Sequence, residues 1–345
     1  MRALVKERPG AGLSLLDRPL PAIGPNDVLI KVSKAGICGT DGHIWDWDAW
    51  ASARVRPPLV VGHEFMGRVA AIGEAVRTLE IGDRVSAEGH LSDGTCVLCR
   101  TGQAHICKNV RVIGVDRDGC FADFISMPES NVWKLDPAIP DEWAAIFDPF
   151  GNAVHAVSAA QVSLQTVLVT GAGSIGLMSV AVAAAAGASK IIAVDPNPHK
   201  LAVAKLMGAH HALDARSPDV RPTILEQTGG AGPDVLLEMS GNPDAIQLGL
   251  DAIRHGGRAA ILGIPATPIV LDLSEKIVLK GVTLLGIFGR KMFETWYQMQ
   301  SLVTLGRVDL SPIVTHRFPL EQFAEAFALL HGGQAIKIVM EVDSE

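Results

Sequence analysis

Gly171-Ala172-Gly173-Ser174-Ile175-Gly176 is the stretch from which the fold is read. It follows a short apolar run, Val167-Leu168-Val169, and opens an apolar segment that continues to Ala186. Strand, glycine turn and helix in that order form a phosphate-binding turn for a dinucleotide. Gly171 permits the tight turn, Gly173 lets a pyrophosphate approach the backbone, and Gly176 lets helix and strand pack closely. The helix N-terminus offers unpaired N–H groups to the phosphates. Asp195 closes the next apolar run, Ile191-Ile192-Ala193-Val194, nineteen residues after Gly176. A carboxylate there accepts hydrogen bonds from the adenosine ribose and repels a 2′-phosphate, so NAD is expected rather than NADP. Lys200 is a further candidate for the ribose; a solvated surface charge is its other reading.

Downstream, apolar runs alternate with helical stretches. Val235-Leu236-Leu237, Ala259-Ala260-Ile261-Leu262 and Thr283-Leu284-Leu285 read as strands, and Pro198 to Met207 and Pro243 to Ile253 as helices. That rhythm predicts βαβ units around a parallel, doubly wound sheet, an α/β fold of Rossmann type. A helix is expected from about Met292 to Leu305, then strand-like pieces from Ile313 to Met340 around a helix at Leu320 to Leu330. Upstream, the texture changes near Ala144. Asp27-Val28-Leu29-Ile30-Lys31-Val32 alternates like a half-buried strand, and Val60-Val61, Gly67 to Ile72 and Gly82 to Val85 continue the pattern. That part reads as an irregular all-β domain with long functional loops.

Bulk properties narrow the function classes. The chain has 345 residues, which favours two domains, and 48% hydrophobic against 19% charged residues leaves no case for disorder. A formal charge of −7 with no basic stripe argues against nucleic acid as a partner. The N-terminus lacks an apolar signal core, and the run Ile175 to Ala186 is too short to span a bilayer. No membrane association is expected. Five cysteines, three of them clustered, point to metal ligation in a reduced, cytoplasmic protein rather than to disulfides.

Two cysteine-bearing constellations carry chemistry. Cys38 with Gly62-His63-Glu64 offers a thiolate, an imidazole and a carboxylate, a set suited to a catalytic zinc, with Glu64 as a ligand or as a partner of one. Thr40 and His43, two and five residues past Cys38, supply a hydroxyl and an imidazole that could relay an alcohol's proton to water. His90 is a candidate for a substrate pocket, and a solvated loop histidine is the alternative. Asp93-x2-Cys96-x2-Cys99-x7-Cys107 could close a structural zinc site, or the lobe is held by packing alone.

In this order these residues resemble the zinc-dependent medium-chain dehydrogenases, over almost the whole chain. The segments that carry the resemblance are Ala35 to Asp41 with His43, Gly62-His63-Glu64, Phe147 to His155, and Gly289-Arg290 with Met292 to Tyr297. It implies a GroES-like, β-rich catalytic domain formed by residues 1–147 and 291–345, and a Rossmann NAD-binding domain at 148–290. It implies that Cys38, His63 and Glu64 hold the catalytic zinc, that Thr40 and His43 relay the proton, and that Asp148 assists this relay near the metal. Its cofactor contacts fall on Ile175, Asp195, Lys200, Leu262-Gly263-Ile264 and Gly286-Ile287. Members are commonly homotetramers. One departure is that Asp93 stands where the structural-zinc lobe normally has a first cysteine.

The implied reaction is oxidation of a small-molecule alcohol with NAD as hydride acceptor, and L-threonine, oxidised at C3, is the expected substrate. Another β-hydroxy amino acid, an amino alcohol or a diol would suit the same groups. A non-catalytic NAD-binding protein on this scaffold would be expected to have lost the metal set.

Overall fold

In the computed structural model, which describes residues 1–343, alternating burial along Asp27–Ile37 makes that strand the centre of a seven-stranded sheet. Val28, Ile30 and Val32 are fully buried on its inner face, each contributing about 1.5–3 kcal/mol of apolar transfer. The strand pairs antiparallel with Glu64–Ile72, Phe124–Pro128 and Lys337–Glu341. Arg84–Ala87 and Val132–Lys134 extend the sheet on one side, and Val314–Pro319 runs parallel to Lys337–Glu341 on the other. A three-stranded sheet of Ser14–Asp17, Arg2–Lys6 and Leu59–Val60 completes the strand framework. These elements belong to a compact unit comprising Met1–Asp148, Lys291–Gln300 and the chain from Val314.

This unit is β-rich without being all-β as its sequence pattern suggested. Helices Gly39–Asp46, Ala49–Arg54 and Phe323–His331 lie within it. The first two are short, and Gly39–Asp46 contains two glycines, so neither shows an amphipathic period. Tertiary packing holds Gly39–Asp46 instead. Trp45 stacks on Phe327 at 4.7 Å, and Gly42 sits so close to Leu330 that a Cβ would lie 3.3 Å from it. The Asp41 side chain accepts the Cys38 N–H at 2.9 Å, closing a capping box at the N-terminus.

The second unit comprises Pro149–Arg290 and Ser301–Ile313. Its sheet has six parallel strands in the order His211–Asp214, Lys190–Asp195, Thr166–Thr170, Val235–Glu238, Arg258–Ile261, Thr283–Gly286. Numbered along the chain this is 3-2-1-4-5-6, the doubly wound dinucleotide-binding order. Val167, Leu168 and Val169 are all fully buried, because helices cover both faces of a parallel sheet. Asn197 and Asn242 cap the helices Pro198–Leu206 and Pro243–Ala252, each with proline in the first turn.

Two elements here were invisible in the sequence pattern. His211–Asp214 is an edge strand, half-buried throughout and without an apolar run. Helix Val220–Gln227 buries only Val220 and Ile224. Helix Glu294–Thr304 starts in the first unit and ends in the second. Among the described residues, no helix is long and apolar enough to cross a membrane.

Candidate active site

In the first unit, Cys38 follows the last residue of strand Asp27–Ile37, and Glu64 begins strand Glu64–Ile72. The register pairs Gly36 with Glu64, which closes the sequence gap between the two candidate ligands. His63 is delivered by Gly62, whose φ of +90° and contact with the Phe121 ring leave no room for a Cβ. One donor atom each from Cys38, His63 and Glu64 lie within 4.8 Å of one another. Glu64 is fully buried, with Lys337 Nζ 2.7 Å from each of its carboxylate oxygens. A thiolate, an imidazole and a carboxylate gathered in this way are a donor set that fits a zinc keeping a fourth position open.

Several side chains support these donors. Asp41 is buried, and its Oδ1 lies 3.5 Å from His63 Nδ1, the carboxylate–imidazole pairing that orients a metal-binding ring. Burial opposes charge on His63, but the Asp41 carboxylate outweighs it and raises the ring's pKa well above its ordinary value. Lys337, buried at 3% exposure, donates to Glu64 Oε1 at 2.7 Å and to Ile37 O at 2.9 Å. Burial raises the Glu64 carboxyl and Lys337 only partly offsets it. Burial likewise pulls Lys337 down, and the charge of Glu64 prevails and raises it. The Cys120 thiol is buried against Glu64 O at 3.5 Å, as a core residue.

Thr40 and His43 stand three residues apart on helix Gly39–Asp46, hence on one face. The Thr40 hydroxyl is 3.9 Å from Cys38 Sγ. His43 Nδ1 lies 2.6 Å from Asp48 Oδ2, and its other ring nitrogen is on the opposite edge. Asp148 is buried in the first turn of helix Phe147–Ala160, near Gly89, and its charge helps to raise Glu64.

His90 is no solvated loop residue. It is 7% exposed on the short strand His90–Leu91, its N–H donates to Glu88 Oε1 at 2.9 Å, and its Nδ1 is 3.5 Å from that oxygen. Glu88 also accepts the Trp296 indole N–H at 2.9 Å. The Asn131 amide donates to both Glu88 O and His90 O. The Met292–Tyr297 segment therefore reaches this site through Trp296, and Tyr297 packs edge-on against Trp133 at 4.7 Å.

Sequence reasoning assigned no role to Asp41, Asp48, Glu88, Trp296 or Lys337. Asp41 had a local signal, the capping-box spacing from Cys38. Lys337 had none, since only the sheet brings it to Glu64.

The second cluster gathers Asp93, Cys96, Cys99 and Cys107, again with donors within 4.8 Å. Cys96 Sγ lies 3.5 Å from Cys99 Sγ and 3.8 Å from Cys107 Sγ, and Asp93 Oδ1 is 3.4 Å from Cys99 Sγ. Zn–S bonds of about 2.3 Å in a tetrahedron put sulfurs about 3.8 Å apart, so the set fits zinc. The backbone N–H groups of Cys99 and Lys108 hold the Cys96 thiol down to about 7, whereas desolvation pushes Cys99 up to about 11. The N–H of Cys96, then that of Thr95, keeps Asp93 well below the usual carboxylate range. Asp93 thus stands beside the three cysteines as an anion.

In the second unit, Gly171 turns the chain at φ +88°, with Ser240 too close for any side chain. Gly173 caps helix Ser174–Ala185 and faces open space, leaving its backbone approachable. Ile175 and Gly176 follow in the first turn. Asp195 is buried, accepting Ala172 N–H at Oδ2 and Asn197 N–H at Oδ1, both at 2.8 Å. Each oxygen keeps a further lone pair for a ligand hydroxyl. Lys200 lies in the first turn of helix Pro198–Leu206. Leu262 and Gly263 donate to Glu238 O beyond strand Arg258–Ile261, with exposed Ile264 after them. Gly286 ends its strand, and Ile287 N–H donates to Ile261 O.

Residues 174–304 match the family described as zinc-binding dehydrogenase, and residues 24–137 the alcohol dehydrogenase GroES-like domain. The chain is 46% identical over 344 residues to an L-threonine 3-dehydrogenase of Symbiobacterium thermophilum, covering 99% of this chain and 98% of the relative. The chain belongs to the zinc-binding dehydrogenase family. The Chelativorans sp. relative of the same name is 48% identical over 341 residues, covering 99% and 98%. Among solved structures, an alcohol dehydrogenase from Thermus sp. ATN1 superposes with a TM-score of 0.90 at 31% identity, covering 99% of this chain and 100% of that one. Escherichia coli galactitol-1-phosphate dehydrogenase gives 0.91 at 27% identity, covering 99% and 100%. The family resemblance, the GroES-like and Rossmann fold class, and the zinc and NAD expected from the sequence are therefore borne out.

Proposed function

We propose that this zinc-binding dehydrogenase oxidises the C3 hydroxyl of L-threonine to 2-amino-3-oxobutanoate, with NAD as hydride acceptor. The observation that carries the reading is the gathering of Cys38, His63 and Glu64 donors within 4.8 Å, in a chain nearly half identical to enzymes of that name. Zinc when bound supplies Lewis acidity to a hydroxyl, and NAD when bound accepts the hydride.

The remaining work belongs to the chain's own residues. Cys38, His63 and Glu64 hold the metal, and Asp41 and Lys337 fix the orientation of His63 and Glu64. Thr40 accepts the substrate's hydroxyl proton by hydrogen bond and His43 carries it onward as the base. Asp148, beside Gly89, assists that relay near the metal, and His90, held by Glu88, lines the substrate pocket. Gly171, Gly173, Ile175 and Gly176 offer the phosphate-binding turn, and Asp195 and Lys200 take the adenosine ribose. Leu262, Gly263, Ile264, Gly286 and Ile287 line the rest of the cofactor's course.

Asp93, Cys96, Cys99 and Cys107 hold a second, structural zinc. We place the protein in the cytoplasm, in keeping with five free cysteines. We also take it to be a homotetramer. Strand Thr283–Gly286 ends its sheet with Leu284 exposed, after a segment exposing Val270, Leu273, Val278 and Leu279, a surface suited to a second copy of the chain.

The test is NADH formation by zinc-loaded protein with L-threonine, L-serine, D-threonine, L-allo-threonine, sorbitol and 2,3-butanediol, each with NAD and with NADP. Preference for L-threonine with NAD is expected. Activity confined to another alcohol would keep the chemistry and replace the substrate.

A further inference from the structure

Helix Gly39–Asp46 ends at Trp47, whose left-handed backbone (φ 57°, ψ 45°) turns the chain sharply. The Trp47 N–H closes the helix on His43 O. Lys6, buried in the neighbouring sheet, braces this turn. Its Nζ donates to Trp45 O at 3.3 Å and to Gly10 O and Gly12 O, and lies 5.0 Å from the centre of the Trp47 ring. The turn brings the next residue, Asp48, back over His43.

There Asp48 uses its two oxygens separately. Oδ1 accepts the Ala51 N–H at 2.9 Å and so caps helix Ala49–Arg54. Oδ2 takes His43 Nδ1 at 2.6 Å. We propose that Asp48 is a positioning residue for proton transfer: it holds the proton of neutral His43 on Nδ1 and leaves Nε2 as the base. The inference rests on the reading of His43 as the relay base.

The argument is one of donors and acceptors. An ionised carboxylate accepts only, so the ring nitrogen facing it must carry hydrogen. A neutral imidazole then has its lone pair on the other nitrogen, the only form in which that nitrogen accepts a proton. The anion also stabilises the imidazolium formed on transfer. Asp48 is ionised: partial desolvation opposes its charge, but the Ala51 N–H and the His43 ring hold it below the ordinary carboxylate value.

Two substitutions separate capping from positioning. In Asp48→Asn the amide oxygen still caps Ala51, but the NH2 faces Nδ1 and drives the proton to Nε2. In Asp48→Ser the hydroxyl still caps the helix and nothing reaches the ring. With zinc-loaded protein, Asp48→Asn is expected to lower kcat for L-threonine by about tenfold to a hundredfold, with little change in KM or melting temperature. Asp48→Ser should lose less. The 15N shifts of His43, assigned by comparison with His43→Gln, should show the tautomer inverted in Asp48→Asn.

The outcomes are distinguishable. Full activity in His43→Gln removes the relay reading and this inference with it. Loss of activity in His43→Gln beside full activity in Asp48→Asn leaves the relay standing and overturns the inference. So does an unchanged His43 tautomer in Asp48→Asn, whatever its activity.

Discussion

Glu64 and Lys337 stand 273 residues apart in sequence and 2.7 Å apart in space, a buried ion pair at the edge of the candidate zinc site. The sheet register makes the pair: Gly36 faces Glu64 on one side of the central strand, and Ile37 faces Ile338 on the other. Without the cation, Glu64 would be a buried carboxylate with no compensating charge, and Asp148 would add further negative charge. Lys337 therefore lets three anionic or electron-rich groups gather before any metal arrives.

Lys337→Met removes the charge and nearly keeps the volume. Breaking a buried pair from one side costs about 3–5 kcal/mol, because the remaining charge is left uncompensated. Urea denaturation of the metal-free protein should show a loss of that order. Lys337→Arg should lose less, keeping a cation within reach of Glu64. A metal-free Lys337→Met as stable as the parent would remove the compensating role.

Much of this architecture was legible in the sequence because its signals are local. The glycine turn at 171–176, the apolar strands of the parallel sheet and the proline-initiated helices all write their reasons within a few residues. The candidate ligands were legible by type: Cys38, His63 and Glu64 are the residues zinc takes. What remained hidden is non-local or half-exposed. Lys337 and Trp296 reach Glu64 and Glu88 only through tertiary folding. The edge strand His211–Asp214 lacks an apolar face, and helix Gly39–Asp46 is held by Trp45 on Phe327 rather than by a periodic pattern.

The proposed zinc lobe gives a second prediction. Cys107→Ser takes away a buried sulfur donor from the four-membered cluster, and metal analysis after dialysis should fall from about two zincs per chain to about one. The melting temperature should fall with it. Asp93→Cys should retain the second zinc against a chelator longer than the parent, since a thiolate replaces a carboxylate corner. Unchanged zinc content in Cys107→Ser would show that this lobe holds none.

Asp195 gives a third. Its carboxylate is buried and already holds Ala172 and Asn197, so Asp195→Asn keeps an acceptor while removing the charge. Hydrogen bonds to a charged group contribute about 1.5–3 kcal/mol, so kcat/KM for NAD should fall about tenfold to a hundredfold. Repulsion of a 2′-phosphate is lost as well, so the ratio of NADP to NAD activity should rise. A loosened loop alone would lower both cofactors equally and leave the ratio where it was.

The acid limb of stability gives the fourth. Asp116 accepts both Arg54 Nε, at 3.1 Å, and Nη2, at 2.7 Å, and the Val112 N–H at 2.8 Å. Desolvation pulls its pKa upward, but the Arg54 hydrogen bond and the Val112 N–H prevail, and the folded value lies below the unfolded 3.8. A depressed carboxyl stabilises the fold fully above its unfolded value and loses that contribution as pH falls through the folded value. The stabilisation from Asp116 is therefore complete at neutral pH and fades below about pH 4. Because the pair is partly exposed, screening holds it to about 1 kcal/mol. Asp116→Asn should lower stability to urea by that amount at neutral pH, and the two stability curves should converge in acid. A difference that stays constant from neutral pH down to about pH 3 would assign the loss to packing rather than to the charge.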